Sequence, residues 1–375
     1  MTGLATRFHA RFGTVPRLFR APGRINIIGE HTDYTGGLVM PSAIDRWCTV
    51  AATTNGTRAL NVIAASFGKE AQADLDALKP DGSWIDYVAG VAAVLMQNGI
   101  AVPGADLMIE SDVPVGAGVS SSAALEISVA HGLLALAGVD ADGVQIARWA
   151  QAAENSFVGM PCGIMDQFAS ANGRADAALL LDCRSLAVRM VPLPREAAFL
   201  IVNSMVRHAH TEGAYRSRRA DCETAAQTLG VPSLRDVDKS ALPAALAKLS
   251  DGPAKRCRHV VTENARVEAA AAAMIAGDLP ALGALLNASH ASLRDDMEVS
   301  VPQVDELAAI AQKTPGVFGA RMMGGGFGGC VIALVAADKG EAARTTIVER
   351  YARVIGTMPD AFICRAVDGA GEIAA

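Results

Sequence analysis

The sequence predicts an α+β protein on three observations. Short apolar runs of strand length alternate with long alanine- and leucine-rich stretches of helical period throughout the chain. A hydrophobic share of 51% over 375 residues is enough to bury a large core, and length alone favours two domains or one large one. The stretch Pro192-Leu193-Pro194 interrupts the pattern near its middle and divides the chain into residues 1–191 and 192–375.

Taken in order, Phe8, Phe12 and Leu18 predict an N-terminal helix and a following strand at 18–20 that dock on the domain. Arg7, His9, Arg11, Arg17 and Arg20, with no acid before Glu30, also give this stretch the composition of an organellar transit peptide, but docking explains its apolar residues better. Runs rich in apolar and β-branched residues predict further strands at 47–53, 60–64, 107–110, 178–182, 199–203 and 330–335. Helical spacing predicts helices at 87–97, 123–137, 144–157, 214–229, 259–276, 279–291 and 301–311. A second break falls at Asp251-Gly252-Pro253. There is no internal repeat and no low-complexity tract beyond the alanine-rich helices.

A net charge of -6 argues against nucleic acid as a partner, because phosphate backbones demand a basic face. The longest notable apolar run, 88–96, is too short to span a membrane. Seven cysteines, at 48, 162, 183, 222, 257, 330 and 364, are scattered, odd in number and without C-x-x-C spacing, so they read as buried thiols of a reducing cytoplasm.

Three glycine-bearing patches carry the chemistry. In the first, Arg24, Glu30, His31 and Asp33 crowd against Ile25, Ile27 and Ile28, with Gly23 before them and Gly36-Gly37 after. A core strand tolerates few charges and a solvent loop has no use for Ile27-Ile28, so the conflict predicts a buried site for a small polar ligand. Alone, the patch reads equally well as a strand running into a charged turn at Gly29, Gly36 and Gly37.

The second patch, Gly116-Ala117-Gly118-Val119-Ser120-Ser121-Ser122, leads from a strand into the helix at 123–137. Serines at a helix mouth lie beside unpaired N–H groups, where aligned peptide dipoles favour an anion, so this is a candidate phosphate cradle. A plain serine N-cap needs only one such residue. No G-x-x-x-x-G-K-[ST] occurs, since Gly68-Lys69 is followed by Glu70. The third patch, at 324–331, satisfies G-x-G-x-x-G, but the strand-like 330–335 that follows rejects a dinucleotide loop, and too little chain remains for a protein kinase. In isolation it is a tight turn between strands.

In this order, the patches resemble the signature motifs of the superfamily that contains the galactose, homoserine, mevalonate and phosphomevalonate kinases (the GHMP kinases). Gly23-Arg-Ile-Asn-Ile-Ile-Gly-Glu-His-Thr-Asp-Tyr34 is similar to the characteristic segment of the galactokinases. Met40-Pro-Ser-Ala-Ile-Asp45, Gly159-Met-Pro-Cys-Gly-Ile-Met-Asp-Gln-Phe168 and Tyr215-Arg-Ser-Arg-Arg219 agree, so the resemblance spans nearly the whole chain. Thr35 stands where that family usually has Asn, a minor departure at a turn. The resemblance implies an N-terminal ribosomal-protein-S5-like domain over 1–191 and a C-terminal ferredoxin-like domain over 192–375, with the site in the cleft between them. A left-handed βαβ crossover occurs in that superfamily, against a strong general rule.

It further implies transfer of the γ-phosphoryl group of ATP to the C1 hydroxyl of α-D-galactose, giving galactose 1-phosphate and ADP, with Mg²⁺ as cofactor. The family's catalytic pair falls on Asp166 and Arg24. Glu30, His31, Thr32, Asp33, Gly163 and Tyr215 fall in the sugar site, and Gly116, Ala117, Gly118, Val119, Ser120, Ser121 and Ser122 along the phosphates. Ser66 and Trp84 fall near the adenine, Ser122 and Glu154 on the metal, and residues 324–329 close over the ligands from the second domain.

The residues themselves leave these roles open. Glu154 has Ala150, Gln151, Phe157 and Val158 at its helical neighbour positions, so no cation pairs with it locally. A carboxylate turned inward needs a partner such as Mg²⁺, whereas one at a helix end reaches solvent. Asp166 lies among apolar side chains, and Arg24 is the natural group to keep it ionised; alone it reads as a buried turn cap. Tyr215 alone, in an arginine-rich helix, reads as a surface residue. Whether Asp166 is a base or an orienting group stays open. The competing readings are a kinase of N-acetylgalactosamine or L-arabinose and a catalytically silent galactose sensor, which the intact Ser122-Ala123, Arg24 and Asp166 disfavour. The expected partners are small molecules, galactose and ATP, with no nucleic acid and no membrane, for a monomer in the cytoplasm.

Overall fold

The computed structural model describes residues 3–207 and 211–374, which form three sheets flanked by helices. Helix α1 (Gly3–Phe12) buries Leu4, Ala5 and Phe8 against Leu18, Ala51 and Met108, so the basic start of the chain docks as a helix. The largest sheet contains β1 (Arg17–Asn26), β3 (Pro41–Thr54), β4 (Ala59–Ala64), β5 (Lys69–Asp74), β6 (Ala105–Ser111) and β13 (Gly371–Ile373), in the order β13-β1-β3-β6-β4-β5. The β4–β6 pair is parallel and the other pairs are antiparallel.

Alternation along the strands gives this sheet two apolar faces. Leu18, Ala51 and Met108 meet α1, while Phe19, Val50, Ala52 and Leu107 join the main core. There α3 (Ser121–Ala137) lies on β1 and β3 with α5 (Met165–Asn172) beside it, and α2 (Asp86–Gln97) and α4 (Gly143–Ala153) pack on α3. Two buried flanks explain why α3 is apolar nearly all round. A small sheet of β2 (Leu38–Val39), β7 (Ala177–Asp182) and β8 (Val188–Pro192) completes this half.

The second sheet, β9 (Ala197–Arg207), β10 (Val317–Met323), β11 (Gly328–Ala336) and β12 (Ala361–Cys364), has the order β10-β11-β9-β12. With α6 (Thr211–Leu229) after β9 and α11 (Gly340–Ile355) before β12, this is the β-α-β-β-α-β arrangement of a ferredoxin-like unit. Helices α7 (Leu242–Leu246), α8 (Asp251–Ala276), α9 (Leu279–Asp295) and α10 (Pro302–Gln312) are inserted between α6 and β10. After β12 the chain returns to the first sheet as β13.

Two expectations are corrected. Asp251-Gly252-Pro253 is the first turn of α8 rather than a break, because a helix start has no partner for the N–H that proline lacks. The helix expected over 144–157 stops at Ala153 and opens into a wide π-helical turn, Glu154–Val158, whose Phe157 presses on Gly90. Strand β5 escaped the apolar pattern because it is polar and mostly exposed, and β8 because it is short and lies exposed at a sheet edge.

The halves are joined through the backbone of residues 26–38. Arg321, fully buried on β10, donates to the carbonyls of Asn26 and Ile27. On α8, Glu263 accepts from the Gly29 N–H at 3.0 Å, His259 Nε2 donates to the Glu30 carbonyl at 2.9 Å, and Asn264 accepts from the Leu38 N–H at 2.7 Å. Arg235 donates to the Gly36 carbonyl while pairing with Asp182. Arg321→Met strands two buried carbonyls and the Glu30 carboxylate, so we expect a loss of about 3–5 kcal/mol in unfolding free energy. An unchanged denaturant midpoint would show that these contacts are idle.

Candidate active site

The cleft between the halves holds a cavity of about 360 Å³ lined by Arg24, Glu30, His31, Asp33, Glu154, Cys162, Asp166, Tyr215 and Gly324–Gly326, among others. At its centre Arg24, from β1, grips Asp166, from the first turn of α5, with Nε to Oδ1 at 2.8 Å and Nη2 to Oδ2 at 2.6 Å. The fork geometry suits a carboxylate, and the helix N-terminus favours its negative charge. Arg24 Nη1 donates to the Gly118 carbonyl at 2.6 Å and the Ser120 hydroxyl donates to Asp166, so the serine loop and the pair form one unit. Ser120 takes a left-handed backbone (φ 61°) and spends its hydroxyl on Asp166 rather than on capping α3.

The polar wall opposite comes from residues 30–34. His31, also left-handed (φ 59°), contacts the Tyr34 hydroxyl through Nδ1 at 2.9 Å, and its ring packs with those of Tyr34 and Tyr215. Burial pushes its pKa down to about 3, so the imidazole is neutral. Burial, reinforced by Asp166, pushes Asp33 up to about 7. Gly163 lies so close to the Asp33 carboxylate that a Cβ there would collide with it. Glu30 accepts from the Gly324 N–H at 2.8 Å and pairs with Arg321 at 3.3 Å, tying the third glycine patch to the first. Gly324 also comes close to Gly118, where an added Cβ would sit a tight 3.2 Å from the Gly118 Cα, and both take left-handed backbones that favour glycine. Thr32 is placed differently from the expectation. Its buried hydroxyl is spent on the Gly29 and Leu38 carbonyls, and it does not line the cavity.

On a third side the π-helical turn aims Glu154 inward. Gln167 Nε2 donates to its carboxylate at 2.6 Å with the Ser122 side chain close by, and burial together with Asp166 raises its pKa to about 7. The same Gln167 nitrogen lies 3.1 Å from Glu126, a completely buried acid whose pKa is driven well up by burial and by Glu154. Cys162 lies 3.5 Å from Glu154, and burial with the nearby carboxylates pushes its thiol far up. Among the described residues no three His, Cys, Asp or Glu side chains are grouped to hold a metal by themselves. The oxygens of Ser122 and Glu154, short of positive charge, suit a hard cation that takes its remaining ligands from water and phosphates.

A second cavity of about 340 Å³ opens on the other side of the serine loop, lined by Ser66, Phe67, Trp84, Tyr87, Val115, Ser121, Ser122 and Leu125, among others. Its wall is mostly apolar and aromatic, as a flat heterocycle requires. Ser122 therefore borders this cavity while lying close to the Glu154 of the first. Ala117 and Val119 are buried behind the loop and Gly116 is exposed at its tip.

Sequence reasoning missed Tyr34, Phe67, Glu126, Gln167 and Arg321. Two left a signal. Glu126 follows Ser122 by four residues, one helical turn on the same face, and Gln167 adjoins Asp166.

Comparison with known proteins bears on this geometry. Residues 6–54 match a galactokinase galactose-binding signature, residues 86–174 the GHMP kinases N terminal domain, and residues 270–353 the GHMP kinases C terminal domain. A galactokinase of Roseiflexus sp. (strain RS-1) is 43% identical, with 99% of this chain and 96% of that protein covered. A galactokinase of Chloroflexus aurantiacus is 45% identical, with 99% and 97% covered. The crystal structure of Lactococcus lactis galactokinase complexed with galactose superposes with a TM-score of 0.95 at 36% identity, covering 99% of each chain. The mevalonate kinase of Methanococcus jannaschii, at 18% identity and a TM-score of 0.68, shares the fold.

The acid on the polar wall has a consequence for stability. With its folded pKa at about 7 against an ordinary 3.8, Asp33 favours folding most below its unfolded value, and this contribution is lost as the pH rises towards 7. In the ligand-free protein Asp33→Asn should therefore raise the thermal midpoint, by an increment that grows from about pH 5 to about pH 8. A pH-independent difference in scanning calorimetry would show that Asp33 titrates as an ordinary acid.

Proposed function

This chain belongs to the galactokinase family, and from that premise we propose how its cleft phosphorylates α-D-galactose at the C1 hydroxyl with ATP. The observation that carries the reading is the Arg24–Asp166 pair, exposed to the first cavity and bonded to the serine loop that borders the second. The sugar occupies the first cavity. Glu30, His31, Asp33, the Gly163 backbone and Tyr215 present acceptors and donors to its hydroxyls, and a wrong epimer leaves some of them buried and unmatched. The adenine occupies the second cavity against Trp84 and Phe67, near Ser66, and the phosphates follow residues 116–122 towards Asp166.

Phosphoryl transfer needs alignment and neutralisation of spread-out charge more than covalent help. Asp166, gripped by two guanidinium N–H groups of Arg24, orients the C1 hydroxyl and takes its proton as the O1–Pγ bond forms. The bond from Pγ to the β–γ bridging oxygen breaks, and ADP leaves. Arg24 stabilises the charge on the equatorial oxygens, and the glycines at 324–326 bring backbone close to the reacting groups without side-chain bulk. Ser122 and Glu154 would hold Mg²⁺, which when bound neutralises charge on the β- and γ-phosphates. The sugar and phosphate residues then belong to a first domain, 1–191, and the closing glycines to a second, 192–375. Seven unpaired cysteines support a reducing, cytoplasmic setting, and a monomer is the simplest state consistent with a site built within one chain.

The test is ADP formation across a sugar panel that includes D-galactose, D-glucose, N-acetylgalactosamine and L-arabinose. Turnover should require galactose, and Asp166→Ala should lower kcat about 10²–10⁴-fold. Sugar-independent turnover, a preference for another sugar, or a fully active Asp166→Ala would overturn the reading; no turnover at all would return the sensor. Trp84→Ala should raise KM for ATP several-fold and leave KM for galactose unchanged. A change in the galactose KM alone would misplace the nucleotide.

A further inference from the structure

Glu126 has no place in the reaction as derived. It is fully buried, its Oε1 has no hydrogen-bond partner among the described residues, and its Oε2 has one, Gln167 Nε2 at 3.1 Å. That same nitrogen serves Glu154 Oε2 at 2.6 Å, so one amide separates two buried acids. Glu126 sits one turn along α3 from Ser122, on the face that points at Glu154. Leaving a buried carboxylate oxygen unsatisfied is costly. Among the described residues no arginine, lysine or histidine bonds either acid, although surface pairs abound elsewhere.

We propose that Glu126 is a positioning residue for the divalent cation, an outer carboxylate that fixes Glu154 through Gln167 and accepts hydrogen bonds from water the cation retains. The inference rests on the reading of Ser122 and Glu154 as cation ligands. Mg²⁺ dehydrates reluctantly and keeps several waters, so donors aimed at acids just beyond its direct ligands are what such an ion brings. The Gln167 amide directs both hydrogens at acids, which leaves its own Oε1 without a partner and fixes which way it faces.

The test measures binding of the non-hydrolysable analogue AMP-PNP by calorimetry, with and without MgCl₂ and without sugar, in the wild type, Glu126→Gln, Glu126→Asp and Glu154→Gln. The readout is the ratio of the two affinities. We expect Glu154→Gln to abolish the gain from Mg²⁺, Glu126→Gln to cut it about tenfold with metal-free binding unchanged, and Glu126→Asp to restore part of it, in line with the usual cost of losing an outer partner. A normal gain in Glu126→Gln beside a lost gain in Glu154→Gln would overturn the role of Glu126 and leave the metal site standing. A normal gain in both would overturn the metal site itself. Thermal midpoints of the variants separate these outcomes from misfolding, and Glu126→Gln is expected to be no less stable than the wild type.

Discussion

The backbone of residues 26–38 depends on side chains supplied from more than 190 positions further along the chain. This loop is largely buried and irregular around Gly29, so strand and turn bonds satisfy only part of its N–H and C=O groups. Arg235, His259, Glu263, Asn264 and Arg321 supply further partners. Each such group left unmatched would cost about as much as a lost hydrogen bond. The cavity-lining side chains of the loop are therefore correctly aimed only when the two halves are docked, which couples docking to the formation of the site.

Within that frame the cleft concentrates acids. Glu30, Asp33, Glu154 and Asp166 line it with Glu126 buried behind, and Arg24 pairs with Asp166. Burial shifts Asp33 and Glu154 towards neutrality, which is the state a site adopts when its charge is matched to something it has still to bind. The left-handed backbones of His31 and Ser120 fit the same account, since non-glycine residues persist in that region only where surrounding contacts over-determine them.

Much of this was legible in the sequence. The three glycine patches, Arg24, Asp166 and the inward Glu154 stand out because charge and glycine in apolar surroundings conflict with ordinary strand or loop chemistry. The seven expected strands and eight expected helices fall on real elements, because each carries its apolar stripe openly. What stayed hidden has physical causes. Short exposed edge strands lack a buried stripe, and a π-helical turn has no spacing of its own to read. The residues that hold the loop, His259, Glu263 and Asn264, look like the wet face of an ordinary helix, because nothing in α8 records that another part of the chain lies against it. Thr32 belongs to the legible motif yet serves the backbone, so proximity in sequence did not distinguish wall from scaffold.

Cys162 stands in the first cavity of the cleft, where a reactive thiol would be a weakness. Only the thiolate attacks electrophiles and peroxides, and burial, reinforced by the carboxylates on its flank, favours the protonated sulfur. The acids that ready the cleft for its substrates thereby also shield it chemically: an oxidant that reaches the pocket meets an inert side chain, and catalysis is spared the damage that a nucleophilic cysteine at that position would invite.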